Sequence, residues 1–279
     1  MKTVKRSPSS RASRAPRLVG VVHLPPLPGS PRARGDASAL LDAIALSVTH
    51  DVVALTRAGF DAVIVENFGD APFMPGSVEP ITVAAMTRCV RAACEAGKIS
   101  VGVNVLRNDA LSAIAVAVAA GASFVRINVH VGAVVADQGI IEGRAHQTLR
   151  ARRAWGADAI DLWTDVAVKH AAPLAPRPPL DEAHDAVLRG LADAVLVTGK
   201  ATGSAADPKD VARLHEGLHG TPIYVASGTT PDELPALAAA GAHGVVVGSW
   251  LRTNGRAGGA IDPRRSASFA KSFRRAFQG

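Results

Sequence analysis

Eight short runs rich in β-branched residues recur along the chain. They begin near Leu18 (LVGVVH), Asp61 (DAVIVE), Ile99 (ISVGVNV), Ser123 (SFVRINV), Ile160 (IDLWTDVAV), Asp193 (DAVLVTG), Pro222 (PIYVAS) and His243 (HGVVVGS). Their starts lie about 32 residues apart on average, the length of a strand plus a return helix. Several are near-continuous apolar runs, the pattern of parallel strands covered on both faces. The stretches between them are Ala-rich and carry helix punctuation. Thr230-Pro231-Asp232-Glu233 reads as a cap, a first-turn proline and a capping-box acid, and Asp207-Pro208 and Asp262-Pro263 repeat the cap-then-proline order. Gly59, Gly97, Gly121 and Gly241 stand where helices end and a left-handed residue is wanted. Eight such units predict an α/β chain folded as a single-domain (β/α)8 TIM barrel over residues 18–279. An open doubly wound sheet is the alternative, but no G-x-G-x-x-G follows the first strand, so nothing supports dinucleotide binding by that route.

Charge then separates the barrel from what precedes it. Of the net +7, six positive charges belong to residues 1–17 (Lys2, Lys5, Arg6, Arg11, Arg14, Arg17), which contain no acid. The body is therefore nearly neutral, and nucleic acid is excluded as a partner except through this short, disordered basic tail. The tail lacks the apolar segment of a secretory signal, and no uncharged apolar run of about 18 residues predicts a membrane span. Two cysteines, Cys89 and Cys94, are too few for a disulfide scaffold and suit a reducing compartment, so the expected location is cytoplasmic. With aromatics at 4%, the core has to be built from Ala, Val, Leu and Ile.

In a barrel of this kind the active site lies at the C-terminal strand ends. The strands end in His23, in Glu66 with Asn67, in Asn104, in Asn128, in Asp165 followed by Lys169 and His170, in Lys200, in Ser227 and in Ser249. Ser227-Gly228-Thr229 and Gly248-Ser249 join glycine to hydroxyls after strands seven and eight, the recurrent phosphate site of such barrels. Glu66 and Asp165 come from opposite sides of the ring. They are candidates, with His23 and Lys200, for acid–base work, while Asn67, Asn104, Asn128, Lys169 and His170 are candidates for orienting substrate. A carboxylate pair can also hold a divalent cation, or each can pair with Lys169, Lys200 or Arg126; no metal or other cofactor is predicted.

Other motifs are less informative. Thr198–Ser204 has the wrong order for a Walker loop. His215-Glu216-Gly217-Leu218-His219 fits H-E-x-x-H, yet it leads into strand seven at the stability face. Pro25-Pro26-Leu27-Pro28, directly after His23, reads as a rigid rim of the pocket.

The stretches VVHLPPLPGSP (21–31), DAVIVENFGDAPF (61–73), GVNVLRND (102–109), VRINVHVGAVVADQGIIEGRAH (125–146), DVAVKHAAPL (165–174), ADAVLVTGKATG (192–203) and VASGTTPDEL (225–234) resemble the BtpA family. The resemblance covers nearly the whole chain apart from the basic tail, and implies a TIM barrel. Its cyanobacterial member is associated with photosystem I, while SgcQ-type relatives sit with sugar-uptake and sugar-phosphate functions. The expectation is an enzyme on a small phosphorylated sugar or nucleotide-like metabolite, of isomerase, lyase or glycosidic-bond hydrolase type, working as a homo-oligomer. The alternative is a non-enzymatic biogenesis or assembly factor for a membrane complex.

Overall fold

A computed structural model describes Ala15 and residues 17–168, 170–199 and 206–277. Lys169, Lys200 and the basic residues before Ala15 lie outside the described residues. Among those described, eight parallel strands close in the order β1 (Leu18–His23), β11 (Gly244–Val247), β10 (Ile223–Ala226), β9 (Ala194–Thr198), β7 (Asp161–Val166), β4 (Phe124–Ile127), β3 (Ser100–Asn104) and β2 (Ala62–Glu66). All eight expected strands are present. The return helices are α1 (Ala37–Ala58), α2 (Pro80–Ala96), α3 (Ala110–Ala120), α4 (Ala145–Ala154), α5 (Pro179–His184), α6 (Pro208–Gly217), α7 (Leu234–Ala239) and α8 (Pro263–Phe277).

Local chemistry sets the helix limits. Asp36, Asp109 and Asp207 each accept a backbone N–H at a helix start, and Asp262 accepts from Arg264 and Arg265. Gly59, Gly121 and Gly241 are left-handed as expected, whereas Gly97 is extended with φ −155°. The Thr230–Glu233 bond forms at 2.7 Å, but α7 starts only after it, at Leu234. α6 ends at Gly217, so His219 is off the helix, and no group of three potential metal ligands occurs among the described residues. By length and composition alone α1 is apolar enough to cross a membrane, although it carries Asp42, Asp51 and Arg57. One face of it, with Ile44, Val48, Val52 and Leu55, is buried against the barrel. Arg17, counted with the basic tail, is held in place: its guanidinium donates to the Phe277 carbonyl at 3.0 Å.

Alternation along each strand aims every second side chain inward. On that side, Val19, Val21, Ile64, Phe124, Trp163, Leu196, Tyr224 and Val246 fill the barrel. Phe124, Trp163 and Tyr224 stack with centroids 4.2 Å apart. Gly102 makes this layer possible, because a Cβ there would run into the Phe124 ring. The next inward residues on the strands are His23, Glu66, Asn104, Arg126 and Asp165. Register places His23 beside Glu66 and Glu66 beside Asn104. A polar layer thus sits on an apolar one at the C-terminal rim.

Three further strands, not expected from the sequence, form an antiparallel sheet outside the barrel: β5 (Ala133–Ala136), β6 (Gly139–Glu142) and β8 (Ala171–Pro173). Val134 and Ile141 are buried beneath it with Val129 and Val168. Beside this sheet His130 is 2% exposed; its Nε2 bonds the Gly190 carbonyl at 2.8 Å and its Nδ1 has no partner among the described residues. Burial pushes its pKa below the usual 6.5, and the bond to Gly190 only partly offsets this. The stability this neutral ring contributes is present above pH 6.5 and lost as pH falls below it. His130→Gln is therefore expected to be less stable than wild type at pH 7.5 but to lose less on going to pH 5.5, by up to about 1.4 kcal/mol per pH unit. Urea unfolding of both proteins at the two pH values checks this.

Candidate functional site

A cavity of about 180 Å³ opens at the C-terminal end of the barrel. One wall is made by Ser227, Gly228, Thr229 and Thr230 after β10, and by Gly248, Ser249 and Trp250 after β11. His23, Glu66 and Arg126 complete the lining, with His23 on β1 directly beside the β11 turn. Ser227 has φ 77° and Gly228 φ 68°, two successive left-handed residues in a sharp turn. A non-glycine residue holds that conformation only at a cost, and such strain concentrates at binding sites. Thr229 is 2% exposed, and its buried hydroxyl has no partner among the described residues. Gly248 fits closely against the ring, since a Cβ there would lie 3.1 Å from Cε1 of His23.

The charged layer is tightly bonded. Arg126 makes a two-pronged pair with Asp165, both bonds 2.9 Å. Asn128 Nδ2 donates to the same carboxylate at 2.9 Å. Burial disfavours the Arg126 charge, but Asp165 and then Glu66 outweigh it, so its pKa stands above the usual value. Its Nη1 lies 4.0 Å from Glu66 Oε2, which accepts from Asn104 Nδ2 at 3.0 Å. Glu66 Oε1 is 4.0 Å from His23 Nε2. On its other side the His23 ring packs on Phe68, and Nδ1 accepts from Arg252 Nη2 and from the Gly258 N–H, each at 3.1 Å.

The expected residues thus divide. His23, Glu66, Ser227, Gly228, Thr229, Gly248 and Ser249 meet at one cavity. Asp165 does not line it: its side chain is fully buried and its oxygens are taken by Arg126 and Asn128, so an acid–base task across the pocket gives way to anchoring Arg126. Asn104 supports Glu66 from below. Asn67 turns away, accepting from Leu106 N at 2.7 Å and donating to Asp70 at 3.1 Å, so it orients a loop instead of a substrate hydroxyl. His170 is exposed, with φ 57°, and is not among the cavity residues. Pro25 and Pro26 pack against Gly69 and are not among the cavity residues.

Sequence reasoning missed Arg252 and the glycine-rich loop 253–259, of which Gly255 and Ala257 line the cavity. It also missed Arg107, a second buried arginine near Asp165 and Glu66 whose pKa burial pushes down. Neither arginine lies in a periodic run. The inward alternation Phe124, Arg126, Asn128 was the one available signal that Arg126 belongs to the cavity.

Comparison with known proteins agrees with the architecture. A phosphoribosylanthranilate isomerase from Pyrococcus furiosus superimposes with TM-score 0.53 at 13% identity, covering 93% of this chain and 99% of the other. Thiamine phosphate pyrophosphorylase from the same organism gives TM-score 0.57, also at 13% identity, covering 93% and 96%. At such identities the likeness is one of fold alone. Sequence similarity is much stronger to the photosystem I biogenesis protein BtpA of Synechocystis sp., 42% identical over 255 residues, which are 91% of this chain and 87% of that protein. The BtpA family pattern matches residues 14–275, and the chain belongs to that family.

Proposed function

We propose that the protein is an enzyme that binds a small sugar phosphate at the barrel mouth and moves a proton on it with Glu66 and His23. The observation that carries this reading is a single cavity joining two glycine–hydroxyl turns to a carboxylate and an imidazole. Ser227, Thr229 and Ser249 supply hydroxyls on one side, and Arg126, fixed by Asp165, supplies a positive charge on the other. A space of about 180 Å³ suits a phosphate with a short polyol chain better than a whole nucleotide. The name of the Synechocystis relative suggests a second reading, an assembly factor, in which the cavity has no task.

Ser227 gives the test. Ser227→Gly removes a hydroxyl but relieves the φ of 77°. Unfolding stability is expected to hold or rise by up to about 1 kcal/mol. Affinity for a sugar phosphate is expected to fall about tenfold or more, the worth of one hydrogen bond to a charged group. Thermal-shift titration of both proteins with pentose and hexose phosphates measures the two quantities together. Stabilisation by none of them at millimolar concentration overturns the reading, and equal affinity of the variant moves the phosphate elsewhere.

A further inference from the structure

We propose that His23 works as a neutral hydrogen-bond donor through Nε2, held in that tautomer by Arg252 and the Gly258 N–H as positioning groups. Glu66 is then the proton acceptor of the pair. The argument rests on what each partner of Nδ1 can do. A guanidinium carries only donors, and so does a backbone N–H. Both point at the same ring nitrogen, from 3.1 Å each, so Nδ1 has to present its lone pair and the ring proton belongs on Nε2. A second proton on Nδ1 would face two N–H groups and have no acceptor.

The two donors are themselves firmly placed. Arg252 is 1% exposed and its Nη2 also donates to the Val21 carbonyl at 2.9 Å, two residues before His23 on the same strand. Burial pushes its pKa down to about 10, with Asp51 and Glu66 opposing, so it is still charged at neutral pH. Its Nε and Nη1 find no acceptor among the described residues. An arginine this deep with two idle donors is a poor device for stability alone, which favours a task at His23. Gly258 lies in the loop after the Ser249–Leu251 turn, where Gly255, Gly258 and Gly259 all have positive φ. An Arg252–Ile261 bridge closes the base of that loop, and Asp51 accepts from Ile261 N at 3.0 Å. The charged groups around the ring are thus Arg252 behind it, with Asp51 beyond, and Glu66 in front.

A neutral imidazole with an occupied Nδ1 polarises a carbonyl oxygen without transferring a full proton to it. This deepens the proposed function and, for its chemistry, rests on it. The favoured reaction class is proton removal beside a carbonyl: the C–H proton passes to the Glu66 carboxylate, and the released electron pair moves toward the carbonyl oxygen, where Nε2–H and Arg126 meet the growing charge. Glu66 then returns the proton to the former carbonyl carbon, while the adjacent hydroxyl gives its proton to the former carbonyl oxygen and becomes the new carbonyl, so the sum is an isomerisation with no co-reactant.

The tautomer can be read without any substrate. In long-range 1H–15N spectra of the full ligand-free protein, with the ring assigned by its loss in His23→Gln, Nε2 is expected to carry the proton and Nδ1 to be unprotonated across pH 6–9. Arg252→Met is expected to reduce the preference for that tautomer by about tenfold. Arg252→Lys, which keeps a donor, is expected to restore part of it. A proton on Nδ1 of wild-type His23, or an unchanged tautomer ratio in folded Arg252→Met, overturns the proposal. If Arg252→Met does not fold, the wild-type spectrum alone decides. A correct tautomer in a protein that binds no sugar phosphate sinks the proposed function and leaves the His23 assignment standing.

Discussion

Arg126→Met is expected to lower the unfolding free energy by about 3–5 kcal/mol. The Asp165 side chain has no exposure, and three of the hydrogen bonds that neutralise or orient it come from Arg126 and Asn128. Without the guanidinium, the buried carboxylate keeps the Asn128 hydrogen bond and the more distant charge of Arg107, and Glu66 loses the Arg126 cation 4.0 Å away. The cost arises from the orphaned charge, not from the value of the pair in isolation. Arg126→Met combined with Asp165→Leu is therefore expected to recover most of the loss, since an apolar pair of similar volume asks for no solvation. Urea denaturation of the two single variants and the double variant gives the coupling directly. A loss below about 1 kcal/mol for Arg126→Met would show that water reaches Asp165.

The second large effect falls on turnover. Glu66→Gln keeps the shape of the side chain and can still accept from Asn104, which now bonds Glu66 Oε2 at 3.0 Å. Folding stability is expected to change by less than about 1 kcal/mol. Turnover on any sugar phosphate that stabilises the wild type is expected to fall by about 10²–10⁴, the usual contribution of a positioned acid or base. Binding should survive, because on the proposed function the phosphate is held by the turns at Ser227–Thr230 and Gly248–Ser249 and not by Glu66. Exchange of a substrate carbon-bound proton with deuterium oxide, followed by NMR, is the direct measure. Undiminished exchange in the variant removes Glu66 from the chemistry and strengthens the assembly-factor reading.

The barrel was legible in the sequence because its signal is repeated. Each strand is a short β-branched run, each helix end carries a cap or a glycine, and one error could not have hidden the period. The rim was legible for a related reason: alternation puts the residue two beyond the apolar layer at the mouth, so His23, Glu66 and Asn104 line up by register. What spacing left open was which partner each carboxylate takes; the pairing of Asp165 with Arg126, one of the alternatives above, is the one the structure holds. Asp165 and Glu66 look alike as strand-end carboxylates, yet one is consumed by Arg126 and the other faces the cavity. Nothing in spacing distinguishes them, since the difference lies in which neighbour the guanidinium reaches. The β5–β6–β8 sheet escaped because its strands are only three or four residues long, and its pairing joins segments about forty residues apart. Arg252 escaped because a single arginine in a glycine-rich loop carries no pattern at all.

The stacked rings of Phe124, Trp163 and Tyr224 have a kinetic consequence. They close the axis of the barrel beneath the cavity. On the proposed function, substrate and product then share one mouth, so the product is expected to compete with the substrate and to leave the maximal velocity unchanged.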